Sequence, residues 1–398
     1  MSKSGVTSPI GFRAAGVACG IKKNGQKDLA LIVSDTPAAA AGVFTTNAVK
    51  GHSLKWSMEK IKSGKARAVV INSGCANACV GPAGDADAAH MASYAASLIG
   101  CEPCEVMLGS TGVIGYRLDM DKIKAGIDNA YSSLSEDGGS LAAQAIMTTD
   151  TFSKETSKTI SIGGKTVTIG GMAKGSGMIH PNMATMISVI TTDADITAEM
   201  LDKALRSACS KSFNRISVDG DTSVCDKVII LAGGMAENPP IISEGPDYDI
   251  FLSTLTEVSQ TLAKMLARDG EGATKLIEIR ANNCATSKDA HLILNAVAKS
   301  PLVKTAIFGN DANWGRIFTA AGYSGANFDP DKTDIYIGDL LVCKNGVAVP
   351  FDEEEALKIL KEKEVIITLD FKDGKVFDRI WTCDLSYDYV KINGSYRS

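Results

Sequence analysis

The sequence predicts an α/β fold in two parts. Strand-like and helix-like segments alternate along the chain, and 398 residues are long for a single core. Beyond about residue 281 the pattern changes to Gly-rich loops, short β runs and one helix with an acidic start, which is typical of a smaller α+β domain. We therefore expect a larger α/β domain over residues 1–281 and a smaller domain over residues 282–398.

Apolar runs, separated by residues typical of turns, predict the first strands and helices. An Asn24-Gly25 turn precedes the first strand, and Gly163-Gly164 lies between two β runs, as in a hairpin. An Ala-rich stretch with acidic residues in its first turn favours a helix. The predicted elements are strands at 29–34, 68–71 and 106–108, the last leading into a Ser110-Thr111-Gly112 loop, a helix at 85–99, and a hairpin of 159–162 with 166–169.

The alternation continues after residue 185. Apolar residues recur at helical spacing between positions 248 and 267, which predicts a long amphipathic helix there. An Asn345-Gly346 turn marks a further β pair. The predicted elements are strands at 185–191, 227–231 and 276–279, helices at 197–211, 248–267, 290–298 and 352–361, and two strands around Lys372-Asp373-Gly374.

Composition excludes several classes of protein. The net charge is −5 and there is no basic block, which argues against nucleic-acid binding. No apolar run reaches membrane-spanning length. The segment at residues 1–5 lacks the apolar core of a signal peptide. A cytoplasmic enzyme or binding protein with small-molecule partners is the expectation.

Ten cysteines are spread through the chain, mostly among small or apolar residues. That distribution favours reduced thiols over a disulfide framework. Cys101 and Cys104 have metal-like spacing, but no second Cys or His pair stands at zinc distance. We therefore predict no metal site.

The segment from Lys174 to Met186, KGSGMIHPNMATM, places Thr185 between an irregular loop and a strand. A hydroxyl in that position suits an N-terminal nucleophile. If the bond between Ala184 and Thr185 is cut, the freed α-amine becomes the base for its own hydroxyl. The competing interpretation is that Thr185 is an ordinary β-branched strand residue.

Other polar residues have plain structural interpretations beside functional ones. Thr111 and Gly112 could form an oxyanion-binding turn or an ordinary β-turn. Asp219 and Asp221 could bind a metal or brace a turn, and the turn-bracing role is favoured for both. The four histidines are interpreted as structural or loop-shaping; they are His52, His90, His180 and His291.

Taken together, the motifs resemble the ornithine acetyltransferase family, whose members act as glutamate N-acetyltransferases in arginine biosynthesis. The cleavage-site segment is the first match, and the others follow in family order over nearly the whole chain. They are residues 72–79 (NSGCANAC), 110–115 (STGVIG), 148–151 (TTDT), 219–223 (DGDTS), 268–275 (RDGEGATK), 309–316 (GNDANWGR) and 392–398 (INGSYRS).

The resemblance implies a layered αββα fold of the N-terminal-nucleophile type, with residues 1–281 as the catalytic domain. It also implies self-cleavage between Ala184 and Thr185 into chains 1–184 and 185–398, assembled as a heterotetramer. Thr185 would be the nucleophile, and Thr111 with Gly112 the oxyanion hole. The substrate-binding residues it implies are Thr148, Lys174, Thr185, Glu271, Asn393 and Ser398.

The substrates implied are N2-acetyl-L-ornithine and L-glutamate with no bound cofactor, and whether acetyl-CoA also serves as an acetyl donor stays open. Three positions depart from the family pattern: Cys75 stands where Asn is common, Cys225 interrupts a polar run, and Ser398 replaces Thr. Two rival functions stay open. An N-terminal-nucleophile aminopeptidase would hydrolyse peptides without acetyl transfer, and a non-catalytic binding protein would never be cleaved.

Overall fold

The computed structural model describes residues 5–180 and 186–394. Its strands are β1 Phe12–Val17, β2 Leu29–Phe44, β3 Lys65–Cys75, β4 Val106–Val113, β5 Lys154–Ile162, β6 Lys165–Lys174, β7 Ile187–Thr192, β8 Ile216–Ser217, β9 Lys227–Ala232, β10 Leu276–Cys284, β11 Asp334–Ile337, β12 Leu340–Lys344, β13 Val347–Ala348, β14 Glu364–Asp370 and β15 Val376–Cys383.

Several helices begin at polar cap residues that the sequence marks. Thr197, Thr286 and Asp352 each accept a hydrogen bond from a backbone N–H of the first turn. The helices are α1 His52–Lys60, α2 Pro82–Ile99, α3 Met120–Ser132, α4 Gly139–Ala145, α5 Ala198–Ser210, α6 Pro246–Arg268, α7 Ser287–Lys299, α8 Pro301–Phe308, α9 Trp314–Gly322, α10 Glu353–Leu360 and α11 Tyr387–Asn393. Within the described residues, no helix combines the length and apolar character that crossing a bilayer needs.

The chain folds into two compact units. The first falls within residues 1–214 and 221–262, and the second within residues 215–220 and 263–398. The predicted boundary after residue 281 cuts through β10, which pairs with β14 and β15 in the second unit. The division of the chain into a catalytic domain at 1–281 and a smaller domain at 282–398 stays a prediction.

The first unit contains a mixed sheet with strand order β4-β3-β2-β9-β7-β6-β5, and β1 pairs with β2 beside this path. Both faces of the sheet are covered by helices, as shown by alternate residues of β2, which pack into two different apolar clusters. Leu31 packs with residues of α2 and α3, whereas Ile32 packs with residues of α4. This explains why β2 and β3 appear in the sequence as nearly continuous apolar runs.

The second unit contains its own mixed sheet, with order β13-β12-β11-β14-β10-β15-β8. The central β10 is parallel to β14 and antiparallel to β15. Its apolar side packs with residues of α7, α8 and α9. Two mixed sheets with covering helices confirm the predicted α/β class.

One predicted boundary is wrong in a way that affects the site. The sequence predicts a strand at 106–108 followed by a loop, but β4 continues to Val113. Residues 110–112 pair in parallel register with Asn72, Ser73 and Gly74 of β3. Pairing with an existing strand overrides the weak strand preference of Ser, Thr and Gly.

Candidate functional site

The structure describes the chain up to residue 180 and from residue 186, but not the predicted nucleophile, Thr185. Pro181, Ala184 and Thr185, like the C-terminal Ser398, lie outside the described residues. The strand that follows Thr185 in sequence, β7, begins at Ile187. Met186 is buried, and its carbonyl accepts a hydrogen bond from the Lys227 amide at 2.9 Å.

Ile187, the first residue of β7, lies between two lysines. In the sheet register Lys174 on β6 pairs with Ile187, and Ile187 pairs with Lys227 on β9. Directly paired residues face the same side of a sheet. The strand after Thr185 therefore begins with a buried lysine on each side of it.

The predicted oxyanion residues lie at the end of β4. Thr111 is 9% exposed, and Gly112 has φ +127, a conformation that residues with a Cβ rarely adopt. A Cβ on Gly112 would also lie only 2.4 Å from the carbonyl carbon of Gly74. Glycine at position 112 is therefore required twice, by its φ and by the close approach of β3.

Buried hydroxyl and amide groups fix this end of the sheet. The Ser110 hydroxyl donates to Asn72 Oδ1 at 2.6 Å and lies 2.7 Å from the Ser53 hydroxyl on α1. The Asn72 amide in turn donates to the Cys75 carbonyl at 2.9 Å. The backbone that carries Thr111 is thus held from both the neighbouring strand and the covering helix.

Lys174 reaches the same place from β6. Its side chain is buried, and Nζ lies 3.5 Å from Thr111 Oγ1. Thr148, another predicted binding residue, donates its amide to Asp150 Oδ2 at 2.9 Å. Asp150 Oδ1 accepts from the Gly175 amide at 2.6 Å, so a single carboxylate connects the Thr148 loop to the loop after β6.

Asp150 is ionised because cations surround it. Burial alone raises the pKa of its carboxyl, but the charges of Lys174 and Lys154, and hydrogen bonds from Lys154 and Thr148, hold that pKa at about 2. Lys154 Nζ lies 2.7 Å from Asp150 Oδ1, and both side chains are fully buried. This corner of the first unit is therefore positively charged and largely shielded from water.

Lys22 belongs to the same corner. Its Nζ donates to the carbonyls of Met147 at 2.7 Å and Lys27 at 2.8 Å. Burial lowers the pKa of this ammonium and the charge of Lys174 lowers it further, while Asp28 and Asp150 act in the opposite direction. Lys22 therefore adds to the cationic surroundings of Lys174.

Glu271 and Asn393 meet in the second unit. Glu271 is 7% exposed, and its Oε2 accepts from the Asn393 amide at 2.8 Å. In the described part of the chain this neutral amide is the only hydrogen-bond or ion-pair partner of the carboxylate. A buried carboxylate whose partner among the described residues is a neutral amide is costly to a protein, which is typical of a group kept for a ligand.

The turn around Glu271 is held by the C-terminal segment. A Cβ on Gly272, which has φ +69, would lie 2.5 Å from the amide nitrogen of Tyr389 in α11. The Asp384 carboxylate accepts from the amides of Thr274 at 2.8 Å and Lys275 at 2.9 Å. The 268–275 and 309–316 motifs also meet here, because Lys275 Nζ donates to Asn310 Oδ1 at 2.5 Å.

The predicted site residues thus fall into two groups. Thr111, Gly112, Thr148 and Lys174 come together in the first unit, and Glu271 and Asn393 in the second. Sequence reasoning missed three buried groups, Asp150, Lys154 and Lys227, and the half-buried Lys22. Asp150 lies inside the 148–151 motif, which was the available signal for it.

The histidines take varied positions. His52 Nδ1 lies 2.6 Å from Asp85 Oδ1, and His291 Nε2 lies 2.8 Å from the Asn295 amide on α7. Burial lowers the pKa of His291. His180 is half-buried in the loop before the undescribed residues. Structural and loop-shaping roles stay the prediction for them.

The thiols at the departures from the family pattern are buried. Cys75 donates to the Tyr116 carbonyl at 3.3 Å, and Cys225 lies 3.8 Å from the Ala76 carbonyl. Burial raises the pKa of the Cys225 thiol to about 12. All ten cysteines are free thiols. Across residues 5–180 and 186–394, His, Cys, Asp and Glu side chains form no metal-sized cluster.

Comparison with known proteins identifies the family. The family model described as "ArgJ family" matches residues 13–398. "Arginine biosynthesis bifunctional protein ArgJ" of Symbiobacterium thermophilum is 54% identical over 396 residues, covering 99% of this chain and 98% of that protein. The Bacillus subtilis protein of the same name is 46% identical, covering 99% of this chain and 96% of its own.

A solved structure agrees. The crystal structure of arginine biosynthesis bifunctional protein ArgJ from Bacillus halodurans shares 45% identity with a TM-score of 0.52, and covers 53% of this chain and 100% of its own. These matches confirm the resemblance that the motif blocks indicate. Since the family model and relatives of about half identity both span nearly the whole sequence, the chain belongs to the ArgJ family.

Proposed function

We propose that this chain transfers an acetyl group from N2-acetyl-L-ornithine to L-glutamate through an acetyl ester of Thr185. As a member of the ArgJ family it is an acyltransferase of arginine biosynthesis. The observation that carries the mechanism is the Thr111–Gly112 end of β4, where a hydroxyl, a glycine backbone at positive φ and the Lys174 ammonium converge. Such preorganised donors suit the negative charge of a tetrahedral intermediate.

Maturation comes first in this mechanism. The Thr185 hydroxyl attacks the Ala184 carbonyl carbon and the peptide C–N bond breaks, which leaves an ester and a free α-amine. Water then hydrolyses the ester to give chains 1–184 and 185–398. The Bacillus halodurans chain supports this, because its whole length corresponds to 53% of this sequence, and residues 185–398 are 214 of 398, or about 54%.

Acetyl transfer uses the same hydroxyl. The Thr185 α-amine, with an ordinary pKa of about 7.7–8.0, removes the hydroxyl proton as oxygen attacks the acetyl carbonyl. The Thr111 hydroxyl and the Gly112 N–H donate to the resulting oxyanion, and the amine of ornithine leaves with the proton. The glutamate amine then attacks the ester, and the Thr185 hydroxyl is regenerated.

Substrate binding is assigned by charge. The buried Lys174 ammonium would pair with a substrate carboxylate, next to Thr148. The Glu271 carboxylate, with only an amide partner in the described residues, would accept a substrate ammonium, and Asn393 would orient it. Ser398 would contribute a terminal hydroxyl. Acetyl-CoA would be a second acetyl donor, and the cytoplasm and an α2β2 heterotetramer complete the proposal.

Self-cleavage is tested on the purified protein. Denaturing electrophoresis should resolve two chains, and sequencing of the second should begin Thr-Met-Ile. Thr185→Ala should give one uncut chain without turnover, whereas Thr185→Ser, which keeps a hydroxyl, should still be cut. An active preparation that contains only intact chain would overturn the proposal.

Covalent transfer is tested by kinetics. Acetylornithine alone should leave an acetyl group on the 185–398 chain, detectable by mass spectrometry. Double-reciprocal plots with glutamate should give parallel lines, because ornithine departs before glutamate is acetylated. Intersecting lines without a trapped acetyl-enzyme would indicate direct transfer and remove the nucleophilic role of Thr185. Peptide hydrolysis in place of acetyl transfer would favour an aminopeptidase.

A further inference from the structure

Lys227 is a buried charge that the mechanism above does not use. It is the first residue of β9 and 1% exposed, and its Nζ donates to the Leu108 carbonyl at 2.6 Å. Within the described residues it forms no ion pair and has no other side-chain partner. Burial lowers the pKa of its ammonium to about 8, although Cys225 and Asp226 act in the opposite direction.

A lysine in that environment costs stability, since a charge buried without a counter-charge is poorly solvated. An apolar side chain of the same length would fill the space without that cost. Stability alone therefore does not explain a lysine at position 227. The explanation we consider is the position of Lys227 relative to the strands that it contacts.

Lys227 connects the strand after the nucleophile to the strand of the oxyanion residues. Across β6, β7 and β9 it is in register with Ile187 and, beyond it, with Lys174. Both lysine side chains extend to β4, Lys174 to Thr111 and Lys227 to Leu108, three residues earlier. The two contacts hold consecutive parts of one strand.

β4 needs such support because it is the edge of its sheet. The outward backbone groups of an edge strand lack ladder partners. At Leu108 the Ser57 hydroxyl accepts from the N–H at 2.8 Å and donates to the carbonyl at 2.9 Å. Lys227 adds a second, charged donor to the same carbonyl, and charge-assisted bonds are about twice as strong as neutral ones.

We propose that Lys227 is a positioning residue for acyl transfer, which holds β4 through the Leu108 carbonyl so that Thr111 and Gly112 stay aligned with the strand that follows Thr185. The inference rests on the proposed function. It extends it by a residue that contacts neither substrate nor nucleophile in that mechanism. A displacement of about 1 Å in such a group can lower turnover by about 10²-fold.

The test is Lys227→Met, which preserves side-chain length and removes the donor. The Leu108 carbonyl keeps its bond from Ser57, so no buried acceptor is left unpaired. We expect an equal or higher melting temperature, complete cleavage, kcat lower by about tenfold or more, and KM values for acetylornithine and glutamate within about twofold. A purely structural lysine would change melting temperature and leave the kcat of folded protein unchanged.

Thr192→Val is the matched control. Thr192 is buried at the far end of β7, and its hydroxyl donates to the Thr168 carbonyl at 2.8 Å and accepts from the Ala194 amide at 3.2 Å. Losing these two bonds should cost about 1–3 kcal/mol of stability and leave kcat unchanged. The control therefore separates loss of a buried bond in this sheet from loss of the β4 contact.

A second variant keeps the inference testable if Lys227→Met does not fold. Ser57→Ala removes the other side chain bonded to Leu108, and its kcat should fall with KM little changed. Wild-type kcat in Lys227→Met, or in Ser57→Ala if the former is unfolded, overturns the positioning role. A wild-type protein without acetylornithine–glutamate transfer would instead overturn the proposed function, so the two failures are distinct.

Discussion

The Thr111–Gly112 end of β4 and the turn that carries Glu271 are held in place by different means. The first is part of a sheet, with Gly112 packed on the Gly74 backbone and buried hydroxyls beneath it. The second is supported by α11, a seven-residue helix with no buried residue, in which Val390 is 70% exposed. The first region is therefore held by sheet packing, whereas the second is held by hydrogen bonds to Asp384 and by contact with a short, exposed helix.

The two regions also differ in how their buried carboxylates are paired. In the first region the buried Asp150 carboxylate already has Lys154 as a partner within the protein. In the second, the described partner of Glu271 is a neutral amide. We infer that substitutions in the first region act on chemistry and folding, whereas those in the second act mainly on ligand binding.

Gly112→Ala should have the largest effect. The methyl would lie 2.4 Å from the Gly74 carbonyl carbon in a backbone with φ +127, so β3 and β4 must separate. Removal of one oxyanion donor alone lowers turnover by about 10²–10³. Because Gly112→Ala also displaces β4, we expect its kcat to fall by at least about 10²–10³ and its self-cleavage to be slower. Both quantities are measured on the same preparations.

Gly164→Ala is the control for backbone strain. Gly164 lies in the β5–β6 turn with φ +79, and a Cβ there would meet nothing within 4 Å. It carries a similar conformational penalty, on the order of 1–2 kcal/mol, without the clash. Equal, small effects of the two substitutions would show that close packing on Gly74 does not fix the oxyanion residues.

Asp150→Asn should be next in size. It removes the carboxylate to which Lys154 and Gly175 donate, and breaking a buried pair typically costs about 3–5 kcal/mol. Urea denaturation at pH 7 measures this loss. Asp35→Asn, in the half-exposed pair with Arg13, should cost only about 0.2–1 kcal/mol. Equal costs would mean that the first region is no better organised than the surface.

The same variant gives the pH dependence. The pKa of Asp150 is about 2 in the folded protein and 3.8 for an ordinary aspartate, so the unfolded state binds its proton first as pH falls. The stabilisation is complete above about pH 4 and is lost as pH falls through the folded value. Wild type should thus lose stability between pH 4 and 2 faster than Asp150→Asn does.

Local sequence signals predicted much of the fold. The Gly163-Gly164 hairpin is confirmed by β5 and β6, and the 197–211 helix by α5 with its Thr197 cap. Short helices such as α4 escaped because seven residues carry too little periodicity. The continuation of β4 escaped because it depends on pairing with β3, which is distant in sequence.

The site divides in the same way. Thr111, Gly112 and Lys174 were predicted from glycine-rich segments and motif blocks, and the structure brings them together. Lys154 and Lys227 could not be predicted, because nothing local distinguishes a buried lysine from a solvated one. Their burial is set by strand register and by long-range packing.

Thr111→Ala separates the hydroxyl from the backbone it stands on. The glycine packing is untouched, so only one donor near Lys174 is lost. We expect kcat to fall by about 10²–10³ with little change in KM, and Thr111→Ser to retain most of the activity. Steady-state kinetics with acetylornithine and glutamate measure both constants. Wild-type kcat with a raised KM would make Thr111 a binding residue only, like those expected of the second region.

Glu271→Gln should have the smallest effect on the protein and the clearest on its ligands. Glutamine keeps an oxygen for the Asn393 amide, so the turn and α11 should stay in place with melting temperature unchanged or raised. A hydrogen bond to a charged group is worth about 1.5–3 kcal/mol, so loss of the carboxylate should raise KM for an amine-bearing substrate by about tenfold or more. Glu364→Gln, an exposed carboxylate 3.5 Å from Arg268 in the same unit, is the control and should change neither quantity. A lower melting temperature with wild-type KM would mean that Glu271 holds α11 rather than substrate, and the contrast between the two regions would be lost.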